Sequence, residues 1–289
     1  MRFGLSMPPF GPYSEPLYLA EIARQAEVAG WDGFFIWDHV VYFHPFHPLP
    51  DIWVALAAVA MKTERIRLGP LITSLARRRP WKVARETVSV DRLSGGRLIL
   101  GVGLGEPADR DFGAFGEEED SRIRARKLDE ALTILDGLWS GEPFSFGGEF
   151  YTVNDVTFLP KPAQSPRIPV WVGGGWDKHA PRRRAARWDG FFPLKWREMI
   201  SVGEWKDIKD SIAEHRTSRA PFDFVQGGTT PGDDLTRASE IAAPYEEIGI
   251  TWWIENIDPW RFGLGWEDLM TSEVTNKMNE RIQQGPPRL

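Results

Sequence analysis

The feature that most constrains this chain is a repeated alternation of two periodicities. Short apolar runs of strand length are followed by longer stretches with apolar residues at helical spacing, and the pair recurs along the whole sequence. Strands are expected at residues 2–7, 33–37, 66–72, 97–106, 168–172, 190–194, 223–226 and 250–255. Helices are expected at 15–29, 51–61, 80–93, 122–139, from the glycines at 173–175 to 187, and at 203–216, 234–247 and 266–282. Local signals agree with these limits. Gly30 ends the first helix, Asp51 caps the second, and Pro80 sits in the first turn of the third. Eight strand–helix units in 289 residues predict an α/β fold, a single (β/α)8 TIM barrel spanning 1–289 as one domain. A doubly wound open sheet is the alternative, and the even spacing favours the barrel. Residues 144–158 break the rhythm. They alternate around Gly147-Gly148 and predict a β-hairpin excursion at the rim.

A barrel of this kind carries its site at the carboxyl ends of its strands. Those ends hold Asp38-His39, Leu71-Ile72-Thr73, Gly105-Glu106, Gly173-Gly174-Gly175, Lys195 and Glu255. His39 is placed to act as an acid, a base or a hydrogen-bond donor, against the plainer reading of a loop histidine bonded to backbone. Glu106 follows three alternating glycines at the exit of the fourth strand. It is a candidate general acid with a pKa raised by an apolar mouth, unless it only caps the loop or pairs with an arginine. The glycine triplet before a basic helix is a phosphate-site candidate, or else a tight turn before a solvated helix. Arg77-Arg78-Arg79 reads first as a solvated or salt-bridged run. His39, His44 and His47 are alternative candidates for metal ligands. Their loose spacing, interrupted by prolines, argues against that role, so no metal is expected.

Composition narrows the function. The chain has no cysteine, which removes disulfides and thiolate chemistry and fits a cytoplasmic setting. A formal charge of -6 argues against nucleic acid as a partner. The N-terminus enters a strand directly, without a signal-peptide pattern, and no run suggests a membrane span. The 14 tryptophans, several expected near the rim, suggest a water-poor pocket for a small, largely apolar substrate. An apolar helix face offers a surface for a two-fold homodimer.

Several segments in combination resemble the luciferase-like flavin-dependent oxidoreductases. They are EVAGWDGFFIWDH at 27–39, RPW at 79–81, DRLSGGR at 91–97, GVGLG at 101–105 and IPVWVGGG at 168–175. The likeness runs from residue 1 to about 193, and beyond it only the barrel rhythm continues. The resemblance implies FMN or the deazaflavin coenzyme F420, with a slight lean to F420, bound at the carboxyl ends of the strands. It implies catalytic roles for His39 and Glu106. It implies cofactor contacts from Asp38, Leu71, Ile72, Gly105, Asp109, Gly173, Gly174 and Gly175, with Leu71-Ile72 in a bulged strand carrying a non-proline cis peptide. Phe43 stands where some deazaflavin-dependent members carry tryptophan, which weakens transfer of any particular substrate. The implied chemistry is hydride transfer or monooxygenation. Two rivals remain: a flavin-binding protein without turnover, and a lyase or isomerase of a phosphorylated substrate using Lys195 and Glu106.

Overall fold

The computed structural model describes residues 1–42, 47–196, 198–265 and 268–289. In chain order the elements are β1 (Arg2–Met7), α1 (Pro16–Ala29), β2 (Gly33–Ile36), α2 (Ile52–Lys62), β3 (Arg67–Pro70), β4 (Thr73–Ser74), α3 (Pro80–Leu93), β5 (Leu100–Gly103), α4 (Ala108–Asp111) and α5 (Ser121–Trp139). They continue with β6 (Pro143–Gly147), β7 (Thr152–Thr157), β8 (Val170–Gly175), α6 (His179–Ala185), β9 (Gly190–Leu194), α7 (Val202–Ala213), β10 (Asp223–Gly228), α8 (Leu235–Glu247), β11 (Trp252–Asn256) and α9 (Ser272–Gln283).

Nine parallel segments run in the order β3-β2-β1-β11-β10-β9-β8-β5-β4. Its two ends, β3 and β4, are halves of one strand position, split at the cis peptide bond Leu71–Ile72. The gap beside β3 is bridged by Leu68 and Leu98, with the Ile99 amide donating to the Leu68 carbonyl at 2.9 Å. The result is the expected eight-position barrel. The hairpin β6–β7 forms a separate antiparallel sheet. Glu130 of α5 holds it by accepting the Glu149, Phe150 and Tyr151 amides.

Alternation along each strand sends neighbouring side chains to opposite faces. Trp252 turns into the barrel, where it packs with Phe35, Trp171, Phe192, Val225 and Ile254. Its neighbour Trp253 faces α8 and meets Tyr245 edge-on at 5.5 Å. These two tryptophans and Trp171 therefore fill core and do not line a pocket at the rim. Leu71 also belongs to the interior layer. A larger apolar cluster fills the space between the strands and the helices.

Three expected boundaries change. Arg97 precedes β5 as a buried tie, its guanidinium donating to the Ser94, Ala60, Thr63 and Ile66 carbonyls and to Thr63 Oγ1. The glycines at 173–175 extend β8 and do not form a turn, because pairing with β9 continues through Gly175. The last helix starts at Ser272, where the Thr271 side chain accepts the Val274 amide; its expected start at Trp266 falls outside the described residues. Among the described residues no helix is long and apolar enough to cross a membrane.

Candidate active site

The end of β2 and the split third strand meet at a buried carboxylate. Asp38 accepts from Thr73 Oγ1, from Arg78 in a two-oxygen contact at 2.9 Å, and forms an ion pair with Arg77 at 2.9 Å. Arg77 also donates to the Asp38 carbonyl. Asp38 is thus held by internal partners, and two members of the basic run at 77–79 are turned inward. Arg77 Nε and Nη1 and Arg78 Nε are buried without a hydrogen-bond partner. A cleft of about 300 Å³ opens beside Asp38, His39, Arg77, Arg78 and the start of α2. A larger groove of about 650 Å³ lies elsewhere, along α8 and the final residues, away from the strand ends.

His39 sits at the edge of that cleft, its side chain 13% exposed. Its Nδ1 lies 3.0 Å from Asp111 Oδ2. The other oxygen of Asp111 accepts the Val40 amide at 3.0 Å and the Val41 amide at 3.4 Å. Burial pushes the Asp111 carboxyl up. The His39 hydrogen bond and charge, the Arg77 charge and the Val40 amide outweigh that and hold it below its ordinary range. Trp37 and Trp260 stack beside His39 with centroids 5.9 Å apart, and Tyr42 meets the imidazole edge-on.

Glu106 occupies the rim after β5, beyond Gly105, whose φ of 82° favours glycine. Its surroundings differ from the expected apolar mouth: its side chain is 73% exposed and meets Arg124 of α5 at 3.2 Å. Arg124 itself is buried. It donates to the Leu104 and Gly105 carbonyls and lies over the Phe112 ring at 4.6 Å. Asp109 points to solvent and pairs with Arg110.

At the end of β8, the side chain of Ile72 occupies the space that a Cβ at Gly103 or Gly173 would need. The two glycines thus let Ile72 pack directly against the backbone of β5 and β8. Of the basic residues that suggested a phosphate site, three are otherwise engaged. Lys178 pairs with Asp177, Arg182 donates to the Trp176 carbonyl, and Arg184 pairs with Asp129. At the end of the neighbouring strand β9, Lys195 pairs with Glu198 and Glu204, whose hydrogen bonds push its ammonium pKa up. A lyase base or Schiff-base lysine needs the reverse shift. Among the described residues no three metal-ligating side chains gather; His44 lies outside them. His47 stacks on Phe10 at 4.9 Å, and burial pushes its imidazole pKa down.

Sequence reasoning placed Asp38 and His39 at the rim but missed Asp111, Arg124 and Trp260. Asp111 lies 72 positions from His39. Its only local cue is its place beside the fully buried Phe112.

A parallel barrel with ionisable side chains gathered at its strand ends defines the general class, a TIM-barrel protein. The chain belongs to the luciferase-like monooxygenase family, whose model matches residues 1–255. The match extends past residue 193, where the resemblance in detail stops. An F420-dependent glucose-6-phosphate dehydrogenase of Kineococcus radiotolerans is 37% identical over 166 residues, 55% of this chain and 47% of that protein. The protein of the same name from Intrasporangium calvum is 31% identical over 242 residues, 80% of this chain and 66% of that protein. The chain thus spans about half to two-thirds of the length of these relatives. The solved structure of coenzyme F420-dependent tetrahydromethanopterin reductase from Methanopyrus kandleri superposes with a TM-score of 0.70. That match covers 98% of this chain and 96% of the other at 17% identity, and it carries the fold alone.

Proposed function

We propose that this chain, read as a single barrel domain, is an oxidoreductase that uses coenzyme F420 to move hydride to or from a small organic substrate. The observation that carries the reading is His39. Its half-enclosed imidazole has one nitrogen tied to a buried carboxylate and the other without a hydrogen-bond partner among the described residues. Likeness to named F420-dependent dehydrogenases over 242 residues supports the choice of cofactor.

The residues present fit a flat heterocycle. Ile72, with Gly103 and Gly173 beneath it, offers an apolar surface without projecting side chains. The wall contributes His39 and two arginines with unpartnered donors. When bound, the deazaflavin supplies two-electron hydride chemistry. The chain supplies position and proton handling. Ile72, Gly105, Gly173, Gly174 and Gly175 are the residues that would hold the cofactor. Asp38 sets the Arg77 and Arg78 guanidiniums, while Leu71 supports Ile72 from below. His39 holds or releases a proton at Nε2. Glu106, steered by Arg124, exchanges a proton at the solvent side, with Asp109 on the same turn.

The test is titration of the purified protein with F420 and with FMN, followed by absorbance and fluorescence. Saturable binding of F420 is expected. Tight binding of FMN alone would move the protein to the FMN-dependent side of the family, and binding of neither would remove the oxidoreductase reading. With an accepted substrate, His39→Ala and Glu106→Gln should each lower turnover by about 10²–10⁴-fold. Full turnover in both would leave a cofactor-binding protein whose proton chemistry lies elsewhere.

A further inference from the structure

The side chain of Asp111 is only 1% exposed, and its hydrogen bonds all reach the segment just after β2. The segment that presents it is itself fixed. Phe112 is fully buried, Arg124 lies over that ring, and the Glu117 amide closes onto the Phe112 carbonyl at 3.0 Å. The exit of the fourth strand therefore returns a rigidly held carboxylate to the histidine at the exit of the second.

We propose that Asp111 is the positioning residue of His39: it fixes the imidazole in the tautomer with the proton on Nδ1 and leaves Nε2 bare toward the cleft. A neutral imidazole has one donor and one acceptor nitrogen, and the bond made by one decides the state of the other. Asp111 Oδ1 accepts two backbone amides, so that oxygen acts as an acceptor. A carboxylate ionised at neutral pH has no proton to donate from Oδ2 either. Nδ1 must then be the donor in the 3.0 Å contact. The same arrangement orients the ring and joins the His39 segment to the segment carrying Glu106. One rigid turn thus places both candidate proton-handling groups. The consequence for turnover rests on the function proposed above; the tautomer does not.

The test uses the full chain labelled with 15N at histidine, without cofactor, at pH 8. Long-range 15N–1H correlations separate a protonated from a bare ring nitrogen, and the His39 signals are assigned by their loss in His39→Gln. A bare Nε2 and a protonated Nδ1 are expected in the wild type. A proton on Nε2 overturns the proposal without any variant being needed. Asp111→Ala should release the tautomer toward Nε2–H, and Asp111→Asn should enforce it, because the one oxygen of Asn stays on the Val40 and Val41 amides and its NH2 group donates to Nδ1. An unchanged tautomer in Asp111→Ala also overturns the proposal. Where turnover is measurable, Asp111→Ala should lower kcat by about tenfold or more, with KM changing much less. The expected tautomer in a protein that binds no F420 would refute the functional reading while leaving the Asp111–His39 pair in place.

Discussion

The two sides of the barrel rim handle buried charge differently. At the end of β11, Glu255 accepts from the Thr230 amide and hydroxyl, from Trp253 Nε1 and from Arg261, and Arg281 of α9 lies 3.4 Å away. Among the described residues none of the buried side-chain polar atoms of this group lacks a partner. Across the mouth, Arg77, Arg78 and Arg124 each keep a buried nitrogen without one, and His39 keeps an open nitrogen. A fully paired network ties an element down: here it fastens the last helix to the last strand. An incompletely paired one bears a desolvation cost that a ligand's acceptors can relieve. The contrast supports the proposed function on the β2–β5 side and a structural role for the network on the β10–β11 side.

Three substitutions break or sharpen this contrast. The largest effect on stability is expected at Glu255→Ala, which leaves two arginines without their carboxylate. Removing one member of a buried ionic group costs about 3–5 kcal/mol, read as a fall in the urea midpoint. The folded fraction should still bind cofactor with unchanged Kd. A cost near that of an exposed residue would mean that the network is not structural.

Asp111→Asn comes next, at about 1.5–3 kcal/mol for a buried charged hydrogen bond. Its signature is the dependence on pH. The folded-state pKa of Asp111 is depressed, so the fold favours the ionised form. That contribution is complete above the ordinary carboxylate range and is lost as pH falls through the depressed folded value. Urea midpoints from pH 7 to pH 3 should therefore fall less steeply in Asp111→Asn than in the wild type. Parallel curves would show that the pair contributes nothing to folding.

The smallest effect on stability belongs to Glu106→Gln. The carboxylate is mostly exposed, and its pairing with Arg124 is that of a surface ion pair, so the midpoint should move by less than about 0.5 kcal/mol. Its effect on turnover should nevertheless be large. A variant that is both less stable and fully active would reverse the assignment of the two sides.

The sequence by itself determined the architecture. Period-two and period-3.6 patterns record which face of each element is apolar, and the order of those patterns leaves few ways to close a sheet. The same reading placed Asp38, His39, Leu71-Ile72 and Glu106 at strand ends, because a strand's end is a local property; the break at Leu71–Ile72 was implied by the family resemblance alone. It misjudged the tryptophans: composition counts them, but strand phase decides that Trp252 turns inward and Trp253 outward. It also misjudged the glycine triplet, which strand pairing with β9 keeps extended. Only the tertiary structure decided which charges remain open. Asp111 meets His39 across 72 positions, and Arg124 reaches the carbonyls of Leu104 and Gly105 from another element. Such meetings depend on how loops return side chains to the mouth of a closed barrel. No periodicity within one element carries that information, and the side chains it governs are those proposed to carry the chemistry.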